Sequence, residues 1–264
     1  MPEGSVFVQD RIGRAQSRAQ REAFSRVRNA EYQYAIKLRA VARHIADMVK
    51  VFAVTDENSL ELPQLDVLMR VLERYQEILR PWARKVAEFM LHDVRRRDAK
   101  AWTQYARFMG VEIKRELESP VTREMFDRLL DEQVDLITSL PVQARQRIMR
   151  LAQEHLYTGA RASEIVKEIQ RTGEVTKHRA ETIARTETSR AATNFTMIRA
   201  DQVGSKGYIW RTSRDYNVRP LHKELEGTYH RWDDPPIAAE NGIRSHPGAI
   251  FNCRCYPEVV LPDY

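Results

Sequence analysis

Cysteine is nearly absent from this chain. Of its 264 residues only Cys253 and Cys255 are cysteines, which argues against a disulfide framework. Long apolar runs are missing as well: none approaches the roughly 20 residues needed to span a bilayer. The N-terminal MPEGSVFVQDRIGRAQSR lacks the basic-then-apolar order of a secretory signal, so a cytosolic product without a membrane partner is expected. No G-x-S-x-G, H-E-x-x-H or Walker-type phosphate loop occurs, and no complete catalytic constellation replaces them. The expectation is a protein that is not an enzyme. Neither sign of charge dominates: the formal net charge is +6 and the isoelectric point about 9.4. This permits contact with nucleic acid or another acidic surface, but the dense basic face of a dedicated nucleic-acid binder is lacking.

What the chain does have is helical periodicity. Val27, Ala30, Tyr34, Leu38, Val41, Ile45, Met48 and Phe52 recur every three or four positions, predicting a long amphipathic helix from about Gln16 to Phe52. After a break at TDENSLELP, with Pro63, a second pattern starts near Leu65 and is kinked or ended at Pro81 before continuing toward Phe108. Further helices are predicted from about Val121 to Leu140, from Pro141 to a stop at Gly159, over ASEIVKEIQ, and from about Thr176 to Gly204. Beyond Gly204 short β-prone runs (YIWRT, TYHRW, CRCYPEVVL) alternate with turns. The fold class expected is mainly α: a long-helix region at 1–172, followed by a small α+β domain at 173–264. Arg95, Arg96 and Arg97 form a basic cluster that reads either as a solvated helix face or as a phosphate contact.

The segment DDPPIAAENGIRSHPGAIFN reads as an irregular loop, long enough to require a constraint. Residues i and i+2 of a strand face one way, so Cys253 and Cys255 would present both thiols to one side. With His222, and with Asp215, His230 or His246 nearby, they suit a tetrahedral zinc site that staples the loop. Two buried free thiols, or a redox role, are the alternatives. A C-x-C pair alone does not choose among the three.

The helix before this region carries polar residues on its inward stripe. Ala180, Ile183, Glu187, Ala191, Asn194 and Ile198 share one face, with Arg190 beside it. A buried carboxylate needs a partner, and Arg219 and Arg254 are the natural ones. Glu187 would then clip the helix to the terminal loop; the sharper alternative is a general base beside a catalytic metal.

The run RAETIARTETSRAATN, then YIWRTSRDYNVRPLHKELEGTYHRWDD, then HPGAIFNCRC, resembles the C-terminal domain of phage Mu F-like minor head proteins, also called phage head morphogenesis proteins. The matching elements stand in order: Ala184-Arg185-Thr186-Glu187, Asp215, Arg219 with His222, Gly227, Pro247-Gly248 and Cys253-Arg254-Cys255. The resemblance covers about residues 145 to 262. It implies a minor capsid protein at the portal vertex inside a tailed-phage head, assisting head assembly or handling of the DNA end. The implied partners are the portal protein and/or the major capsid protein, with non-specific contact to packaged DNA. The implied place is the virion interior, with the host cytoplasm during assembly. It also implies a metal site of His222, Cys253 and Cys255, completed by Asp215 or His246. The toxin or enzymatic modules fused to some relatives are not expected after Tyr264. Two rival readings are a metal-dependent hydrolase, such as a nuclease, using Glu187 or Asp215, and a free-standing nucleic-acid-binding protein.

Overall fold

The structure, a computed structural model, describes residues 4–52, 64–109, 119–158 and 162–262. It is mainly α, as the periodicity implies. Helices α1 (Gly4–Phe52), α2 (Leu65–Met109), α3 (Pro120–Thr158), α4 (Ala162–Gln170) and α5 (Thr172–Gln202) come first. A small α+β part follows, with β1 (Gly207–Arg211), α6 (Pro220–Glu224), β2 (Tyr229–Arg231) and β3 (Tyr256–Val260). The break expected at TDENSLELP and the stop expected at Gly159 lie outside the described residues. No helix among the described residues is long and apolar enough to cross a membrane.

Helix boundaries differ from those read in the sequence: α1 begins at Gly4 and not near Gln16, and three others differ as follows. Helix α2 runs through Pro81, which is exposed together with Glu77. The carbonyl that proline leaves without a donor is therefore on a face open to water. Helix α3 continues through Pro141 instead of restarting there. Pro141 is buried in phase with Ile137, Ala144 and Ile148, so the apolar stripe carries the helix across the missing N–H. The hydroxyls of Thr138 and Ser139 donate to the Val134 and Leu136 carbonyls at 3.0 and 2.7 Å in the same stretch. Helix α5 begins at Thr172, about a turn earlier than its periodicity suggests. Thr172 is buried and its carbonyl accepts the Thr176 hydroxyl at 2.7 Å, so the polar break becomes the first turn.

The described residues fall into two compact units, one within Met1–Tyr32, Phe89–Leu129 and Arg185–Tyr264, the other within Gln33–Glu88 and Leu130–Ala184. Both take segments from either side of residue 172, because α1, α2, α3 and α5 are each long enough to contribute to both. Nearly all the described residues of the second unit are helical. Leu38, Ile45, Val49, Leu68, Leu72, Ile137 and Ile148 are buried in it. Its buried amide Gln133 is satisfied by the Tyr34 hydroxyl, which donates to Oε1 at 3.0 Å. Gly173 of α5 approaches α1 so closely that a Cβ there would stand 2.5 Å from Ala46 Cβ.

The first unit holds the sheet, antiparallel in the order β2-β1-β3. Its central strand sends Tyr208 and Trp210 to one face, two residues apart, and both are fully buried. They share an apolar cluster with Ala238, Cys253 and Cys255. A second cluster joins Ala101 and Trp102 of α2 to Ala200, Val203 and Val259. The two cysteines are thus part of the core.

Candidate metal centre

Helix α6 opens with Pro220, whose fixed φ suits a first helical position, and its third residue is the buried His222. The Trp210 ring packs edge-on against the imidazole, with centroids 5.2 Å apart. Nε2 of His222 lies 2.9 Å from the Ala238 carbonyl oxygen. A carbonyl only accepts, so Nε2 carries the proton in the neutral ring and Nδ1 keeps its lone pair. Cys253 Sγ and Cys255 Sγ each lie 3.5 Å from that Nδ1. The three donor atoms fall within 4.8 Å of one another, all three residues are buried, and the cluster could hold a metal ion.

The thiols share a side without sharing a strand, contrary to the reasoning from the C-x-C spacing. The ladder starts at Tyr256, opposite Arg211, so Cys253 and Cys255 stand just before β3. Asn252 adopts a left-handed conformation, φ 57°, which asparagine tolerates better than most side chains. The Cys253 N–H then closes a turn onto the Ile250 carbonyl at 3.2 Å, and the Cys255 N–H donates to Cys253 Sγ at 3.4 Å. The hydrogen bond with Cys255, opposed by burial and aided by His222, brings the Cys253 thiol down to about 4. Its partner moves the other way: the Cys253 hydrogen bond and burial hold Cys255 protonated. Burial alone would lower His222, but the Cys253 thiolate and the Ala238 carbonyl outweigh it and raise it above 6.5.

The other residues singled out in the sequence are placed as follows. Asp215 accepts from the Ser213 hydroxyl at 3.0 Å and the Asn217 N–H at 3.1 Å, and stands 4.0 Å from Arg254 Nη1. His246 is held elsewhere, its Nδ1 3.1 Å from the Tyr208 hydroxyl and its ring against Trp232. His230 Nε2 lies 2.7 Å from Thr228 Oγ1. Glu187 is buried and pairs with Arg190 at 2.7 Å along α5, and Asn194 Nδ2 donates to the Arg190 carbonyl at 2.9 Å. Arg254 extends to Glu31 of α1, donating from Nη2 at 2.7 Å and from Nε at 3.2 Å. Arg219 Nη2 donates to the Phe251 carbonyl at 2.9 Å.

Several contacts between α5 and the terminal loop come from residues to which the sequence reading gave no role in joining the two. Thr186 Oγ1 accepts the Asn252 N–H at 2.9 Å, Arg185 Nη1 donates to Asn252 Oδ1 at 2.7 Å, and Thr193 Oγ1 donates to the Pro247 carbonyl at 2.7 Å. The signal was present in TETSRAATN, whose small hydroxyls recur on the face toward the loop. Gly248 completes the fit. Its φ is +81°, and a Cβ would come 2.7 Å from the Cys255 carbonyl oxygen and 2.9 Å from Thr193 Oγ1. The long loop is folded on itself through the bridge Ile237↔Arg244, which sets Ala238 at its place under His222.

Beside the three donors lies a cavity of about 210 Å3. Its wall includes Asp215, Arg185, Arg219, Asn252 and Arg254 together with His222, Cys253 and Cys255. Glu187 is not among the lining residues. Of the two carboxylates considered for chemistry, only Asp215 shares a cavity with the donors.

Residues 146–257 match the family model described as phage Mu protein F like protein. This part of the chain is similar to phage Mu F-like proteins. The Mu F-like segment contains His222, Cys253, Cys255, Asp215, His246 and the α5 contacts to the loop. The chain is also similar to an uncharacterized protein of Haemophilus influenzae, 28% identical over 215 residues, covering 80% of this chain and 47% of the relative. It spans about half of that relative's length. No solved structure matches the chain.

Proposed function

We propose that this chain is a minor head protein of a tailed bacteriophage, working inside the head at the portal vertex in assembly or in handling the DNA end. The observation that carries the reading is the His222–Cys253–Cys255 cluster, formed within the Mu F-like segment by the residues its motifs contain. The long helices of residues 1–172 supply the surface for the portal or major capsid protein. Residues 173–264 supply a stapled part close to packaged DNA, which they contact weakly and without sequence preference. The protein acts in the host cytoplasm during assembly and in the virion afterwards, and it does no catalysis.

The staple is one zinc ion. Tetrahedral zinc, with bonds of about 2.3 Å to sulfur and about 2.0–2.1 Å to nitrogen, separates the two kinds of donor by roughly 3.5 Å. Both Sγ–Nδ1 distances are 3.5 Å. The Nε2–H bond to Ala238 fixes the ring as a second contact does for metal-bound histidines. Asp215 or a water completes the four, on the cavity side.

That cavity favours a second reading, a metal-dependent hydrolase with Asp215 as base, because an open position beside three ligands is what catalysis needs. Two experiments separate the readings. The tagged chain is co-expressed with the portal and major capsid proteins of its own genome, and the isolated heads are analysed by quantitative mass spectrometry. A few copies per head, lost when the portal is omitted, is the result expected; heads that never contain the chain overturn the proposal. In the second experiment, zinc-loaded chain is incubated with plasmid DNA. Cleavage that disappears in Asp215→Asn moves the assignment to a hydrolase.

A further inference from the structure

A basic feature apart from the His222 cluster lies where the arginine cluster of the sequence meets α5. A cavity of about 540 Å3 is lined by Phe89, His92, Asp93, Arg95 and Arg96 of α2 and by Arg199 of α5, all in one unit. We propose that this cavity binds a nucleotide, its phosphate on Arg199 and Arg95 and its base against Phe89.

The charge arrangement points to an anion. The turn from Asp93 to Asp98, with Arg199, brings four guanidinium groups together with two carboxylates. Asp93 is taken by Arg96 and Arg97, at 2.6 and 2.8 Å. Asp98 is taken by an ion pair with Arg199 and by the Thr196 hydroxyl at 2.7 Å. Arg95 lies over the Phe126 ring at 5.8 Å, a contact that orients it without cancelling its charge.

Arg199 is the unusual member. It is 2% exposed, yet it lines the cavity, and its Nε and Nη2 donate to no atom among the described residues. A buried guanidinium with spare donors is costly unless a ligand accepts from them. Planar N–H pairs suit phosphate oxygens, which accept two parallel bonds. Burial, and then the charge of Arg95, bring Arg199 down to about 9.

The ligand is larger than an inorganic ion. The volume is in the range of small-molecule sites, roughly 300–1,000 Å3. Phe89 is 66% exposed on the wall and offers a flat apolar surface of the kind on which bases stack. A free nucleotide and one nucleotide of a strand share this chemistry. The site does not depend on the metal centre or on the head-protein reading.

The test uses the full chain at one fixed low salt concentration with three probes: inorganic phosphate, dTMP and a fluorescein-labelled oligo-dT strand. Wild type is compared with Arg95→Gln, Phe89→Ala and Arg199→Lys, each checked for an unchanged helical CD spectrum. Arg95 and Phe89 are accessible enough to be replaced if Arg199→Lys fails to fold. Arg95→Gln is expected to weaken dTMP or strand binding at least about tenfold, the worth of one hydrogen bond to a charged group. Phe89→Ala is expected to weaken the nucleotide probes and leave inorganic phosphate unchanged. Binding of dTMP as tight as that of the strand assigns a free nucleotide; binding of the strand alone, still lost in Arg95→Gln, assigns a nucleic acid. Wild type that binds none of the probes, or binding unaffected by Arg95→Gln, overturns the site.

Discussion

The imidazole of His222 is fixed from behind by the Ala238 carbonyl, 2.9 Å from Nε2, and this leaves Nδ1 facing two thiols. A buried histidine held this way, with both sulfurs 3.5 Å off, could hold a metal ion together with them. Wild type is expected to carry about one zinc per chain by elemental mass spectrometry, and Cys253→Ser/Cys255→Ser none. An ion that closes a loop on a small sheet adds folding energy, so chelation should also lower the Tm of the wild type and leave that of the double variant unmoved. Equal metal content in the two proteins would sink the zinc staple.

Glu31 tests how the α1 segment supports this centre. It accepts twice from Arg254, the residue between the cysteines, and Glu31→Ala leaves that guanidinium only the more distant Asp215, 4.0 Å from Nη1. A loss of about 1–3 kcal/mol in urea unfolding is expected, the range for hydrogen bonds to charged groups. Faster zinc release to a chelator should accompany it. An unchanged release rate would mean that Arg254 does not position the cysteines.

Gly248→Ala probes the loop. A left-handed backbone costs a non-glycine residue roughly 1–2 kcal/mol, and here the added methyl also meets the Cys255 carbonyl oxygen at 2.7 Å. Destabilisation beyond the backbone cost alone is expected, measured by denaturant unfolding with metal content recorded alongside.

Gly173→Ala tests the helical unit, where propensity and packing oppose each other. Replacing glycine by alanine in a helix ordinarily gains about 0.5–1 kcal/mol. With Ala46 Cβ 2.5 Å from the new methyl, overpacking should instead cost about 1–3 kcal/mol. The double variant Gly173→Ala/Ala46→Gly should recover most of the loss, and a simple gain in the single variant would contradict the close approach.

Glu226 sets an acid limit. Burial alone would raise it, but the Thr212 N–H and hydroxyl, at 2.6 and 2.7 Å, with Arg214 and Arg211, bring it below 4.5. A carboxyl depressed in the folded state stabilises fully above its unfolded value of 4.5, and that contribution is lost as pH falls through the lower folded value. Glu226→Gln should therefore be less stable than wild type at neutral pH, and the two should converge in acid. Parallel stability curves down to acid pH would refute this.

The amino-acid sequence by itself determined the helices, because their apolar spacing of three and four holds over many turns, as from Val27 to Phe52 and from Leu65 to Leu79. It also offered the donors, since few residue types can serve: of its candidates, His222, Cys253 and Cys255 come together among the described residues, whereas His246 is held against Tyr208. The tertiary structure decided the rest. Periodicity does not register whether Pro141 is braced by a buried stripe, so one helix stood as two. Spacing cannot tell an isolated C-x-C from a strand, and the thiols converge through the turn at Asn252. The partner of Arg254 is Glu31, more than two hundred positions away, and Arg199 is buried against Asp98 on another helix. Pairings of that range are set by how helices pack, which local sequence does not encode.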